Sequence, residues 1–452
     1  MARRTYYASI REVFLPRGNV MIFGSNGNAR MKALAGALVL GMAAVASAAQ
    51  AGTTLVGGGA TLPALGYGGD VTNRQITPIS GSFLAAYSAI SGNPSVSYCQ
   101  TGSGAGKNIL AGAAGNNVQN SCAGLAVGTP TPTGFGAPAA GRTDLVRPNF
   151  AGADSPLSLT DFNTYVTNTS SLPVQEPVVA GSIAIAFNNP DVDSLNLTQD
   201  QVCGIFSGAI TNWNDIAPGT TGTITVVYRS DGSGTTFGLS NYLSKVCGGT
   251  AAKHFVTDQA FTTVDSLFGL PTGSVGQSGN PAVADFVVNN PGTIAYVESA
   301  NANAVLSQFA TVGGLDPFND FGVSLVPVGT SDVVYNQAIN GADPSTGRPV
   351  LSSMSGTSPS SQCIALVKPD AYATQPAGSY PIVAISYFLG NSASNGSDTA
   401  AVRNLLWAPY NTAITTNAGL PGGAVQTIGP KTGLSFLSNA TASQSVINGC
   451  IN

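Results

Sequence analysis

The sequence contains few charged residues and almost no histidine. Charged side chains make up only 8% of its 452 residues, and His254 is the single histidine. Proteins that bind catalytic or structural metal ions usually do so through clusters of histidine, cysteine and carboxylate ligands. We therefore predict neither a metal nor any other cofactor. With 43% hydrophobic residues and a net charge of only −4, the composition also disfavours a disordered chain.

The N-terminal apolar run is too short to cross a bilayer. It spans residues 33–45, follows Met31 and Lys32, and is succeeded by small residues up to Ala51. This order is typical of a cleaved secretory signal rather than of a membrane anchor. We expect an N-terminal extension plus signal peptide over 1–51, with translation starting at Met31 and the signal at 31–51. The mature protein is then periplasmic or secreted.

A surplus of basic residues is missing as well. Residues 1–51 hold six basic residues and one acidic residue, so the remaining chain has 11 basic and 20 acidic residues and a formal charge of −9. Nucleic-acid-binding proteins normally carry the opposite balance. We therefore predict no nucleic-acid partner, and any anion site must depend on local hydrogen-bond donors.

Six cysteines follow the expected cleavage point, which is an even number in an exported chain. This favours disulfides, although the sequence alone allows fifteen pairings. Metal binding is the alternative, but there is no CxxC pair. We expect the sequential pairing, which closes local loops: Cys99–Cys122, Cys203–Cys247 and Cys363–Cys450.

Residues 229–236 (Arg-Ser-Asp-Gly-Ser-Gly-Thr-Thr) are the most informative segment. A run of β-formers, 224–228, precedes them, and apolar residues at helical spacing follow from Leu239 to Val246. A loop between a strand end and a helix start offers free backbone N–H groups and the positive end of the helix dipole. Arg229 adds a planar, permanently charged donor. The segment predicts an oxyanion site; a simple turn that caps a helix is the alternative.

Two further glycine-rich segments carry similar donors. Residues 57–63 place Thr61 and Leu62 in a turn, and residues 102–107 place Ser103 at a helix start. The second segment resembles a nucleotide-binding P-loop only superficially. Thr101 stands where the first glycine is needed, and Asn108 replaces the magnesium-binding Ser or Thr.

Asp154 precedes a Ser-Pro pair, where an aspartate is usually a turn or cap residue. Beside an oxyanion site, however, a carboxylate is useful only if the ligand brings a proton to donate. Phosphate carries such a proton near neutral pH and sulfate does not. An unprotonated oxygen facing a buried carboxylate costs several kcal/mol, so one aspartate could select phosphate.

The pattern of strands and helices predicts an α/β protein. A buried strand over 178–187 is followed by the capping-box pattern Thr198 to Gln201 and a helix. A second helix over 283–287 gives way to a strand over 293–297. Two regions, 110–148 and 330–361, are predicted to be long surface loops.

Taken together, these segments resemble the phosphate-specific periplasmic binding proteins of ABC importers (PstS-like) and the related exported DING-type phosphate binders. The resemblance covers most of residues 56–298, including 59–63, 102–107, 153–158, 179–188, 205–213, 229–236, 279–287 and 291–298. The last third of the chain matches less well, mainly through 380–382. Residues 110–148 are an insertion relative to the family, and Cys99 and Cys122 flank a longer loop than the family usually has.

The resemblance implies a type II periplasmic-binding-protein fold, with two α/β lobes joined by a two-crossover hinge and the ligand cleft between them. Lobe 1 is expected at 52–181 and 301–452, and lobe 2 at 182–300. The implied phosphate ligands are Thr61, Leu62, Ser103, Asp154, Arg229, Ser233, Gly234 and Thr235. Asp231 matches the family aspartate that pairs with the arginine. The pairs Cys203–Cys247 and Cys363–Cys450 resemble the two disulfides of DING-type members.

We therefore expect an exported, monomeric, high-affinity inorganic phosphate-binding protein rather than an enzyme, the solute-binding component of phosphate ABC import. Membrane permease subunits of that transporter are the expected protein partners. Two alternatives stay open. Some exported relatives are described as phosphatases, and a secreted phosphomonoesterase could use a serine or threonine with Asp154 as its base. An extracellular phosphate scavenger or adhesive protein is the third class.

Overall fold

The computed structural model describes residues 53–70, 72–124, 129–305, 308–323, 326–357, 361–416, 425–438 and 442–452. The described residues belong to one compact unit. The expected extension and signal peptide, 1–51, lie outside the described residues. Within the described part of the chain, no helix has both the length and the hydropathy that a membrane span requires.

Strands within these ranges form one large sheet and two small two-stranded sheets. They are β1 (Leu55–Gly59), β2 (Gln75–Ile76), β3 (Val96–Gln100), β4 (Phe150–Ala153), β5 (Pro173–Asn188), β6 (Asn196–Leu197), β7 (Thr225–Arg229), β8 (Val275–Gln277), β9 (Thr293–Glu298), β10 (Gln308–Val312), β11 (Val333–Tyr335), β12 (Gln337–Ala342), β13 (Pro349–Ser353), β14 (Ala365–Val367), β15 (Val383–Asn391) and β16 (Leu434–Phe436). The large sheet runs β2-β3-β1-β4-β15-β5-β9-β7-β8, with β10 and β16 also paired to β5.

Helices connect these strands and cover the sheet. They are α1 (Ala64–Gly68), α2 (Phe83–Ser88), α3 (Ser103–Leu110), α4 (Leu159–Thr169), α5 (Gln199–Phe206), α6 (Gly234–Val246), α7 (Phe261–Val264), α8 (Asn280–Asn289), α9 (Ser299–Ala304), α10 (Pro369–Tyr372), α11 (Thr399–Trp407), α12 (Thr412–Thr415) and α13 (Gln444–Cys450). The predicted capping box is present, since Thr198 and Gln201 cap each other at the start of α5.

Strand β5 joins two parts of the large sheet. Residues 173–182 pair with β15, and residues 183–188 pair with β9. The strand is longer than the predicted 178–187. Pro177 lies at an irregularity in the pairing with β15, where the missing N–H of a proline is tolerated, so the strand continues through a residue that usually ends one.

The change of partner on β5 lies close to the predicted lobe limit at 181/182. The next strand after β9 in the chain, β10, pairs with residues 185–187 of β5. It therefore lies beside the part of β5 that contacts β9. The lobe limits 52–181 with 301–452 and 182–300 remain a prediction, and this pairing suggests that the second crossover follows β10.

The prediction that 330–361 is a long surface loop was wrong. Strands β12 and β13 form a hairpin there, and β11 pairs with β14. The carboxylate Oδ1 of Asp343 accepts the backbone N–H groups of Ser345 and Thr346, which closes the turn between β12 and β13. The hairpin contains few β-branched residues, so its composition did not mark it as strand. In contrast, residues 111–148 contain only one short 3-10 turn, Ala137–Ala140, among those described.

Candidate functional site

The carboxyl ends of parallel strands meet at the site. Strands β3 and β4 flank β1 in parallel, and β8 and β9 flank β7 in parallel. Ligand sites of α/β sheets form at such edges, because the loops that leave the strands converge there. Four of these strands lead into the predicted segments: β1 to Thr61, β3 to Ser103, β4 to Asp154, and β7 to its last residue, Arg229.

Arg229 is held in a fixed orientation by Asp231. Its Nε donates to Asp231 Oδ1 at 2.7 Å and its Nη2 to Oδ2 at 2.5 Å. The N–H of Gly279 also donates to Asp231 Oδ1, at 3.0 Å. Burial lowers the pKa of the Arg229 guanidinium, but the charge of Asp231 and its hydrogen bonds outweigh burial and raise it overall. The pairing directs Nη1 away from Asp231.

Helix α6 begins directly behind this arginine. The Ser233 hydroxyl accepts the N–H of Thr236 at 3.1 Å and so caps the helix. The residues Ser233, Gly234 and Thr235 are all buried. Arg229 Nη1 lies 3.4 Å from Thr235 Oγ1. The loop predicted from sequence is therefore a buried helix start beside a buried cation.

Thr61 and Leu62 follow β1 and are also buried. The Thr61 hydroxyl oxygen lies 3.3 Å from Arg229 Nη1, although the two residues are 168 positions apart. Thr61 and Thr235 thus flank the same guanidinium nitrogen.

Ser103 is the first residue of α3, and its loop touches the Arg229 loop. Gly104 N–H donates to the Gly232 carbonyl at 2.9 Å. A side chain at Gly102, which has a φ of +85°, would collide with the Asp231 carboxylate. Gly102 is therefore required by close approach as well as by backbone conformation, and a Cβ at Gly104 would make a tight contact, 3.0 Å, with Gly232 Cα.

Asp154 follows β4 and is 1% exposed. Its backbone N–H donates to Ser103 Oγ at 3.0 Å, and that hydroxyl lies 3.5 Å from Asp154 Oδ2. Among the described residues, Asp154 Oδ1 has no hydrogen-bond partner. Burial raises the pKa of Asp154 to about 7, although the Ser386 hydroxyl and the charge of Arg229 act in the opposite direction.

The structure thus brings together all eight predicted ligand residues and Asp231. It also shows Asn280, which the sequence resemblance included but which was not predicted as part of the site. Asn280 is buried at the first position of α8, and its side chain donates to Thr235 Oγ1 at 3.1 Å. The sequence contained a signal for a helix start at this position, because proline is favoured in the first turn of a helix and Pro281 directly follows Gly279 and Asn280.

Lys107, the residue that gives 102–107 its likeness to a P-loop, points elsewhere. Its ammonium group contacts Asp161 Oδ2 at 3.0 Å, the Ser155 hydroxyl at 3.1 Å and the Pro156 carbonyl at 2.8 Å. This buried network ties α3 to α4. With three partners, the ammonium group of Lys107 has no hydrogen left to donate to the phosphates of a nucleotide.

The three expected disulfides are confirmed. Cys99–Cys122, Cys203–Cys247 and Cys363–Cys450 are each bonded. The described residues contain no group of three or more His, Cys, Asp or Glu side chains that could hold a metal ion.

The site therefore combines many donors with one acceptor. Donors are the Arg229 guanidinium, the serine and threonine hydroxyls, and backbone N–H groups at the starts of α3 and α6; the acceptor is Asp154. In a buried position such groups suit a small, tetrahedral oxyanion that still carries a proton.

Known proteins similar to this chain include a phosphatase and phosphate-binding proteins. Alkaline phosphatase L of Pseudomonas aeruginosa (strain UCBPP-PA14) is 29% identical over 405 residues, covering 84% of this chain and 88% of the relative. A phosphate-binding protein of an unknown prokaryotic organism is 27% identical over 61% of this chain and 75% of its own. The solved structure of a high-affinity periplasmic phosphate-binding protein bound with phosphate, PfluDING, matches with a TM-score of 0.57 at 26% identity, covering 86% of this chain and 91% of that one.

The mixed α/β architecture and this structural match confirm the type II periplasmic-binding-protein fold. The family model described as the PBP superfamily domain matches residues 71–402. The chain therefore belongs to the PBP superfamily, and within it is similar to the PstS-like and DING-type phosphate-binding proteins.

Proposed function

We propose that this protein is an exported, high-affinity inorganic phosphate-binding protein. Its ligands are Thr61, Leu62, Ser103, Asp154, Arg229, Ser233, Gly234 and Thr235, with Asp231 holding the arginine. The observation that carries the proposal is Asp154, a buried carboxylate set among buried donors. The relatives and the solved structure named as phosphate-binding proteins support the same ligand.

Asp154 supplies the selectivity. Its Oδ1, without a partner among the described residues, is an acceptor for a P–OH group. Sulfate has no proton at neutral pH, so its oxygen would face the carboxylate without a hydrogen between them. In a buried site such a contact costs several kcal/mol, which corresponds to orders of magnitude in affinity.

Enclosure of the site favours a free anion over an ester. The loops from the two expected lobes are in direct contact, with Gly104 N–H bonded to the Gly232 carbonyl. On the other side, a Cβ at Gly234 would lie 2.6 Å from Asp154 Cα. An organic substituent on the phosphate would have to separate these contacts. We propose that phosphate enters when the lobes open and is enclosed when they close.

A phosphomonoesterase is the second candidate, favoured by the relative named alkaline phosphatase L. Ser103 Oγ lies 3.5 Å from Asp154 Oδ2, and the raised pKa of Asp154 suits a general base near neutral pH. The same serine also accepts the N–H of Asp154, so its hydroxyl is part of a structural contact. A steady-state assay with a chromogenic phosphate ester separates the two candidates: turnover abolished by Ser103→Ala would favour the enzyme.

We infer export and partners from the same family resemblance. The matched solved protein is named as periplasmic, and the sequence pattern over residues 31–51 is typical of a secretory signal peptide. We propose that the mature protein is periplasmic or secreted and, as a monomer, delivers phosphate to the permease subunits of an ABC importer. A pull-down with those subunits tests delivery; a scavenger or adhesive protein would not bind them.

Calorimetric titration of the refolded, phosphate-stripped mature protein tests the function itself. We expect tight, one-to-one binding of phosphate and rejection of sulfate at neutral pH. A folded protein that binds no phosphate would overturn the proposal.

A further inference from the structure

Asn280 touches two of the proposed phosphate ligands without being one of them. It is the first residue of α8 and fully buried. Its backbone N–H lies 3.3 Å from Thr61 Oγ1, and its side-chain Nδ2 lies 3.1 Å from Thr235 Oγ1. One residue thus contacts the hydroxyls of two threonines that are far apart in sequence.

The direction of these hydrogen bonds is fixed. Backbone N–H groups can only donate, so Thr61 Oγ1 is the acceptor there. The side-chain amide is oriented by its other end, because Asn280 Oδ1 accepts the N–H of Glu298 at 3.4 Å. Its Nδ2 must then face Thr235 and donate to it.

Each threonine oxygen also receives a second hydrogen bond. Arg229 Nη1 donates to Thr61 Oγ1 at 3.3 Å and to Thr235 Oγ1 at 3.4 Å. A hydroxyl has two acceptor lone pairs and one hydrogen to donate. With both lone pairs engaged, the hydrogen of each hydroxyl is left for another acceptor.

We propose that Asn280 is a positioning residue for oxyanion binding. Its side chain, together with Arg229, forces Thr235 to donate its hydrogen to the ligand, and its backbone N–H does the same for Thr61. Donor hydroxyls suit phosphate oxygens, whereas a hydroxyl that turned its lone pairs toward an anion would repel it. This inference rests on the proposed phosphate site. It adds the residue that makes two hydroxyls of that site donors toward the ligand.

A double-mutant cycle tests the role of Asn280 through Thr235. Asn280→Ala removes the side-chain donor and keeps the backbone N–H, so only Thr235 loses its orientation. We expect phosphate affinity to fall roughly ten- to hundred-fold by calorimetry, the range for one hydrogen bond to a charged group. In a Thr235→Val background, where no hydroxyl remains to orient, Asn280→Ala should have almost no further effect.

Two controls distinguish a positioning role of the Asn280 side chain from a general contribution to the stability of the fold. In a Thr61→Val background Asn280→Ala should keep its full effect, because Thr61 contacts only the backbone of residue 280. Asn241 is an equally buried asparagine on α6 whose Nδ2 donates to the Pro369 carbonyl, outside the site. Asn241→Ala should lower the melting temperature about as much as Asn280→Ala while leaving phosphate affinity unchanged.

Asn280→Asp keeps the test available if Asn280→Ala does not fold. A carboxylate at 280 accepts the Thr235 hydrogen instead of donating, so affinity should fall at least as far as in Asn280→Ala. If wild type binds phosphate and either variant binds equally well, or if the loss is the same in the Thr235→Val background, the positioning role is overturned and the phosphate site stands. If wild type itself binds no phosphate, both are overturned.

Discussion

Gly234 at the start of α6 lies directly against Asp154, the residue that follows β4. A Cβ at 234 would lie 2.6 Å from both the Cα and the carbonyl carbon of Asp154, well inside the contact distance of two carbon atoms. The two residues are 80 positions apart and belong to the two different expected lobes. The closed arrangement of the site therefore depends on the absence of a side chain at 234.

Gly234→Ala should keep the fold and weaken phosphate binding. The added methyl group has room only if the two loops separate, so we expect at least a ten-fold loss of affinity by calorimetry and a small loss of thermal stability. Gly449→Ala is the matched control, because Gly449 lies in helix α13 with no atom near its missing Cβ. Equal affinity in Gly234→Ala and wild type would show that this contact does not govern closure.

Asp154→Asn should relax the choice between phosphate and sulfate. An amide can donate to an unprotonated oxygen, so the repulsion that excludes sulfate is removed. We expect the ratio of the two dissociation constants to fall more than ten-fold when measured at about pH 8.5, where Asp154, with its pKa of about 7, is ionised. Should the variant still reject sulfate as wild type does, selectivity would have to lie in another residue.

The stability of the phosphate-free protein should fall as the pH rises from about 4 to about 8. Burial raises the pKa of Asp154 to about 7 and that of Asp265 and Glu298 to about 8. In this window the folded state keeps protons that the unfolded state has already lost, so each group lowers the free energy of unfolding by up to about 1.4 kcal/mol per pH unit.

Asp265→Asn isolates one of these contributions. Asp265 is fully buried, and neither of its carboxylate oxygens has a hydrogen-bond partner among the described residues. The neutral variant should show a flatter pH dependence in urea unfolding. An unchanged slope between pH 5 and pH 8 would mean that Asp265 does not titrate as its burial implies.

Removal of a disulfide should destabilise the protein more when the loop that the disulfide closes is longer. The cysteines of Cys99–Cys122 are 23 positions apart and those of Cys363–Cys450 are 87 apart. Loop entropy makes the second pair more stabilising by about 1 kcal/mol, out of about 3–5 kcal/mol for each. Urea unfolding of the two double Cys→Ala variants measures the difference; the reverse order would indicate that native packing around Cys99 dominates.

The β12–β13 hairpin offers a matched pair of glycines. Gly347 and Gly341 both have a positive φ, but a side chain at 347 would collide with the Phe255 carbonyl, whereas 341 faces open space. The Gly347 carbonyl also accepts the N–H of Thr257 at 2.9 Å. Gly347→Ala should therefore lower the free energy of unfolding by about 1–3 kcal/mol more than Gly341→Ala. Equal losses would show that the clash is relieved by movement of the hairpin tip.

Local patterns in the sequence were enough to place the strand, loop and helix around Arg229, because hydrophobic periodicity and capping residues act over a few positions. The same reasoning found the start of α5 and the strand β9. It failed for β12 and β13, because that hairpin depends on contacts such as the bond from Ile339 N–H to the Leu157 carbonyl, across 182 positions.

The sequence by itself determined which residue types stand at each strand end, and hence that donors and one carboxylate were present for an oxyanion. Only the tertiary structure decided that Lys107 pairs with Asp161 instead of facing the site, and that Asn280 orients Thr61 and Thr235. The physical reason is that burial and the direction of a hydrogen bond depend on neighbours brought together by packing, which the local sequence does not specify.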